Sequence, residues 1–85
     1  MKAPDVAVSV ETFVRHQFNV SDSDPGFDRT IDLFESGYVD SVGVAELLEH
    51  LTQAFDVEIP ESDLFSEDFS SIDGIASIIA RLTDA

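Results

Sequence analysis

Ser41, Asp40, His16 and His50 invite a nucleophilic reading first. A serine nucleophile needs a base within hydrogen-bond reach. On one continuous helix, the step from Ser41 to His50 is about 13.5 Å of rise and about 900° of rotation. The two side chains then face opposite ways, so His50 cannot serve Ser41 as a base. The nucleophile elbow of serine hydrolases would need glycine where Val39 stands. Both histidines are therefore read as exposed residues of polar helix faces. A second cluster, Asp22, Asp24 and Asp28, suggests calcium. A calcium loop opening at Asp22 puts Gly26 where an acid is needed and Leu33 where the closing Glu is needed. That match fails and leaves a solvated turn or weak, non-specific divalent binding.

Ser41 follows Gly37-Tyr38-Val39-Asp40 and opens an acidic amphipathic segment. Two readings stand here. Asp-Ser is a common helix start, with Asp40 as the cap and Ser41 as the first helical residue. A helix start also offers free amides and the positive end of a dipole, which favour a phosphodiester. At such a junction the hydroxyl is within reach of another enzyme.

The elements that would hold these residues follow from composition and periodicity. The chain has 85 residues, 44% of them hydrophobic, which suits one small folded domain over residues 1–85. Lys and Arg total 4 against 18 Asp and Glu, a formal charge of −14. Phosphate binding needs cations, so nucleic acid is excluded as a partner. An anionic membrane would repel the chain, and no apolar run approaches a span, so membrane insertion is not expected. There are no cysteines, hence no disulfide, thiolate or cysteine-based zinc chemistry. The acidic start, Met1-Lys2-Ala3-Pro4-Asp5, does not resemble a signal peptide, and a cytoplasmic monomer is expected.

Helical spacing appears three times. Val6, Val10, Phe13, Val14 and Phe18 form one stripe, opened by Pro4 and Asp5. The turn-rich run Asn19 to Gly26 ends it. From Ser41 to Phe55, Val44, Leu47, Leu48, Leu51 and Phe55 form a second stripe, with Gly43, Glu46, Glu49, His50 and Gln53 assigned to the other face. A short helix is expected over 61–66. Ser70 or Ser71 should cap a last helix with Ile72, Ile75, Ile79 and Leu82 as its stripe, Ser70 and Asp73 having capping-box spacing. Between the first two helices, Phe27, Ile31, Leu33, Phe34, Tyr38 and Val39 are too apolar for a free linker, so an ordered loop should lay them on the core. The fold class is all-α: a small four-helix bundle of three longer helices and one short helix, with a long first loop. The expected core is Phe13, Val14, Phe34, Leu47, Leu51, Phe55, Ile75 and Ile79.

The run Leu33-Phe34-Glu35-Ser36-Gly37-Tyr38-Val39-Asp40-Ser41-Val42, then Glu46-Leu47-Leu48, Phe55 and Val57-Glu58-Ile59-Pro60, closely resembles the acyl carrier protein family. The resemblance covers nearly the whole chain, with helix order, long first loop and Ile-Pro in register. It implies an acyl-carrier-protein-like bundle that is not an enzyme. It implies 4′-phosphopantetheine, derived from coenzyme A, on the hydroxyl oxygen of Ser41, with Asp40 as the adjacent motif residue. An acyl or aminoacyl intermediate would ride on it as a thioester. The resemblance further implies that partners read the second helix through Glu46 and Glu49, with Val42 as an apolar contact near the arm. Those partners would be a phosphopantetheinyl transferase, an acyl- or aminoacyl-loading enzyme and downstream biosynthetic enzymes with basic docking surfaces. The acidic charge would steer such partners without tight binding.

Fatty-acid carriers usually place Leu and then an acid after the serine, whereas this chain has Val42-Gly43. That pair resembles discrete carriers of polyketide and nonribosomal assembly in secondary metabolism, and the D-alanine carrier; the other reading of Gly43 is simply a small helix face. A fatty-acid-synthesis carrier is the remaining alternative within the family. From another class, the alternative is an acidic helical adaptor that binds a basic partner and is never modified.

Overall fold

The computed structural model of the chain describes residues 3–21 and 23–83. Four α-helices and one 3₁₀ turn appear in order: α1 (Ala3–Gln17), α2 (Ser41–Phe55), α3 (Glu61–Leu64), the 3₁₀ turn Glu67–Ser70 and α4 (Ile72–Thr83). No strand occurs among the described residues. Among the described residues no helix is long and apolar enough to cross a membrane. The all-helical architecture is the one the periodicity predicts. The expected opening roles of Pro4 and Asp5 rest on side chains outside the described set.

Each long helix buries one stripe. Val6, Val10 and Val14 of α1, Leu47 and Leu51 of α2, and Ile72, Ile75 and Ile79 of α4 are fully buried, joined by Leu33 from the loop. The small valines let α1 lie closest to α4, while α2 reaches the others through longer side chains. This corrects the expected core. Phe13, Phe34 and Phe55 are only partly buried and pack against the core from its edges, where an aromatic ring fills a seam. Phe34, for example, stacks on Phe69 of the 3₁₀ turn with centroids 6.5 Å apart.

The long loop is ordered by its own polar groups. Asp28 Oδ1 accepts from the Thr30 and Ile31 amides at 2.7 and 3.0 Å, and Asp32 Oδ1 from the Phe34 and Glu35 amides, both at 2.9 Å. The Leu33 amide then donates to the Ser70 carbonyl at 2.7 Å, and the Asp73 amide to the Arg29 carbonyl at 3.0 Å. Those bonds tie the loop to the start of α4. Ser71, not Ser70, caps α4: its Oγ accepts from the Gly74 amide at 3.0 Å. The capping box expected from Ser70 and Asp73 does not form, because the Asp73 amide is already taken. Gly74 itself permits this join, since a Cβ there would stand 1.8 Å from the Asp68 carbonyl oxygen.

Candidate functional site

Ser41 is the first residue of α2 and is exposed. The chain arriving at it is firmly held. Val39 is 2% exposed, and its amide donates to the Leu33 carbonyl at 3.0 Å. The Tyr38 hydroxyl donates to Asp24 Oδ2 at 2.8 Å, and its ring meets Phe27 edge-on. Asp40 then forms the N-cap in extended conformation (φ −103°, ψ −173°): Oδ1 accepts from the Gly43 amide at 2.8 Å, and its carbonyl accepts from the Val44 amide at 2.9 Å. The Asp40 carboxylate therefore satisfies a first-turn donor and sits at the positive end of the helix dipole. The amides of Ser41 and Val42 lie in the same turn, where no helical carbonyl precedes them. Val42 stands 68% exposed beside the hydroxyl.

Glu46 and Glu49 are both exposed, as expected. Glu46 accepts a hydrogen bond from Gln17 Nε2 at 2.7 Å, and Glu49 one from Gln53 Nε2 at 3.3 Å. The three arginines are engaged elsewhere. Arg15 and Arg29 both grip Glu11, at 2.8 and 2.6 Å, and Arg81 pairs with Asp63. Hydrogen bonds from Arg29 and Arg15 hold the Glu11 carboxyl below its usual range. Since α2 contains no Lys or Arg, its acidic surface carries no compensating cation of its own.

Two assignments on α2 need correction. Gly43 is not on the polar face; it is buried, with the ring of Phe18, in the turn just after α1, lying over it. His50 is not exposed either. Its ring stacks on Phe13 of α1 at 3.8 Å and 8°, its Nε2 is buried without a hydrogen-bond partner, and burial pushes its pKa down. Only His16 is exposed as expected. The cause is shared: α2 leans on α1 through aromatic rings whose partners lie far away in sequence. An open groove of about 370 Å³ runs along this seam, lined by Ser9, Thr12, Phe13, His16 and His50. It lies more than two turns along α2 from Ser41. Another residue not singled out by sequence pattern is Phe65, which is 83% exposed just after α3.

Asp24 accepts from Gly26 and Tyr38, and Asp28 from Thr30 and Ile31, so these carboxylates serve the loop's own donors. Those bonds also lower both pKa values. Asp22 lies outside the described residues. Among the described residues no three metal-ligating side chains come together.

The helical scaffold thus exposes the Ser41 hydroxyl at a capped helix start, next in sequence to exposed Val42 and on the same helix as exposed Glu46 and Glu49. The chain belongs to the phosphopantetheine-attachment family, whose model, described as a phosphopantetheine attachment site, matches residues 9–79. It is thus a carrier with covalently attached 4′-phosphopantetheine, not an enzyme, and its general partners are a phosphopantetheinyl transferase and loading enzymes. It is 37% identical over 57 residues to the D-alanyl carrier protein of Lactococcus lactis subsp. cremoris, covering 67% of this chain and 72% of that one. It is 33% identical over 54 residues to the D-alanyl carrier protein of Streptococcus uberis, covering 64% and 68%. No solved structure matches the chain.

Proposed function

We propose that Ser41 is the attachment residue and that the exposed acidic side of α2 is the surface partner enzymes read. The observation that carries this is the exposed Ser41 hydroxyl at the first turn of α2, behind the Asp40 cap. The residues fit the group. The uncommitted Ser41 and Val42 amides and the dipole end suit a phosphodiester, and exposed Val42 suits an apolar contact beside it. When bound, the group supplies a terminal thiol for carrying cargo as a thioester. The chain's own residues do the rest. Asp40 fixes the turn, Ser41 offers its oxygen, and Glu46 and Glu49 attract basic partners. In loading, the Ser41 O–H bond breaks and an oxygen–phosphorus bond forms. The proton passes to the transferase, and the adenosine bisphosphate portion of coenzyme A leaves.

For the cargo, the similarity to D-alanyl carrier proteins supports the D-alanine-type alternative, a small aminoacyl group. Gly43, whose position two after the serine resembles the carriers of secondary metabolism and the D-alanine carrier alike, already has a packing role under Phe18 and so distinguishes less between cargoes. The carrier is read as a single-domain, cytoplasmic monomer, self-association being opposed by its charge of −14. Intact mass after incubation with coenzyme A, Mg²⁺ and a phosphopantetheinyl transferase tests the attachment. The wild type should gain the phosphopantetheine mass, and Ser41→Ala should stay folded and gain nothing. A Ser41→Ala protein that still gains it overturns the assignment. An unmodified wild type would favour the adaptor alternative.

A further inference from the structure

Gly43 lies one residue beyond Val42 in the turn that bears Ser41, and its amide donates to the Asp40 carboxylate at 2.8 Å. Its α-carbon faces two walls. A Cβ at this position would stand 2.7 Å from Phe18 Cε1, 3.1 Å from Phe18 Cζ and 3.1 Å from Val39 Cγ1. Contacts this short force something to move. Val39 is fixed: it is buried, and its amide is bonded to Leu33. Phe18 also meets Phe13, edge-on at 6.3 Å and 88°, and Phe13 is itself stacked on His50 of α2. Moving the Phe18 ring therefore disturbs the second place where α2 rests on α1. The remaining freedom is for the first turn of α2 to tip outward, taking Asp40 and Ser41 with it.

Resting on the proposal that Ser41 is the attachment site, we infer that Gly43 is a positioning residue for its modification, seating the first turn of α2 on Phe18 and Val39. The transferase must meet the hydroxyl and the acidic face of α2 at once. Glu46 and Glu49 lie beyond the seat and keep their places, so tipping the first turn alters the offset between docking surface and reacting oxygen. Alanine is the better helix former, which offsets part of the cost of the clash. The loss in loading should therefore exceed what the loss in stability accounts for.

The test follows loading kinetics by intact mass, using the full chain, coenzyme A and a phosphopantetheinyl transferase. Gly43→Ala should lower kcat roughly tenfold, as expected for a misplaced reacting group, with KM changed less than about twofold. Its melting temperature should fall only modestly, the helix-propensity gain offsetting part of the cost of the clash. In a Phe18→Leu background, where the ring carbons that collide are gone, the same Gly43→Ala change should cost less than about threefold in kcat, because the two residues are coupled. Wild-type kinetics for Gly43→Ala overturn the inference, as does an equal loss in the Phe18→Leu background. Should Gly43→Ala fail to fold, the double variant decides: folded and loaded, it supports the seat; unfolded, or folded and unloaded, it overturns it. A Ser41→Ala control separates the two proposals. If that control is modified, the attachment site is wrong; if it is inert while Gly43→Ala loads normally, only the seat is wrong.

Discussion

The Asp40 carboxylate ends on the Gly43 amide, so removing it leaves an unpaired donor in the turn that bears Ser41. Asp40→Ala should cost about 1 kcal/mol in chemical denaturation, the usual worth of such a cap. Asp40→Asn should cost less, since an amide oxygen still accepts. Equal losses for both would mean that charge against the dipole, rather than the hydrogen bond, dominates. His50 gives a pH prediction. Burial pushes its pKa below 6.5, the value of a free histidine. His16 lines the same groove, and Glu46 and Glu49 flank His50 on α2. Below about pH 6.5 the unfolded chain takes up this proton before the folded one does, so stability is complete above that pH and falls as pH drops toward the folded pKa. Thermal melts from about pH 7.5 to about 5.5, spanning the free histidine value, should therefore show the wild type losing stability relative to His50→Phe. The carboxylates titrate in both proteins and largely cancel in the difference. Parallel curves would mean the ring finds a partner when protonated.

Burial along the helices is uneven, and single truncations should show it. Leu51 is fully buried, so Leu51→Ala should lose about 2–5 kcal/mol in urea unfolding. Phe55 is larger but only partly buried, and Phe55→Ala should lose less despite removing more atoms. The reverse order would mean that α2 is rotated about its axis. The contrast also shows where sequence is readable. A period of 3.6 marks the buried stripes of α1, α2 and α4, because each helix buries one face. It cannot rank depth within a stripe, which depends on the opposing helix. Here the valines of α1 draw α4 close and leave the aromatic residues at the seams. The Ser41 turn was legible because Asp-Ser capping is local. Gly43 and His50 were misplaced because Phe18, just after α1, and Phe13, within it, cover them from far back in the chain, and no local pattern reports that. Ser71 took the cap from Ser70 for a similar reason: the carbonyl of Arg29, far back in the loop, had claimed the Asp73 amide.

At the scale of the whole molecule, charge and its placement must be separated. A net −14 attracts any basic protein, and its long-range field scarcely depends on which carboxylate is altered. A specific docking face requires more: acids at one place, free of internal cations, beside the group to be delivered. The arginines satisfy that condition by their absence from α2, being held by Glu11 and Asp63. Glu46 and Glu49 are about one turn apart and exposed, so Glu46→Lys and Glu49→Lys should fold normally yet slow loading through the association rate. The effect should shrink as ionic strength rises toward the physiological Debye length of about 8 Å. The control must change charge by the same amount without touching structure. Glu11 is unsuitable, since reversing it would break the link between Arg15 and Arg29, whereas exposed Glu58, beyond the end of α2, leaves the described ion pairs intact. Glu58→Lys should therefore load nearly as fast as the wild type. If it slows loading as much as the α2 reversals do, partners sense only the total charge, and the acidic face of α2 has no special part in recognition.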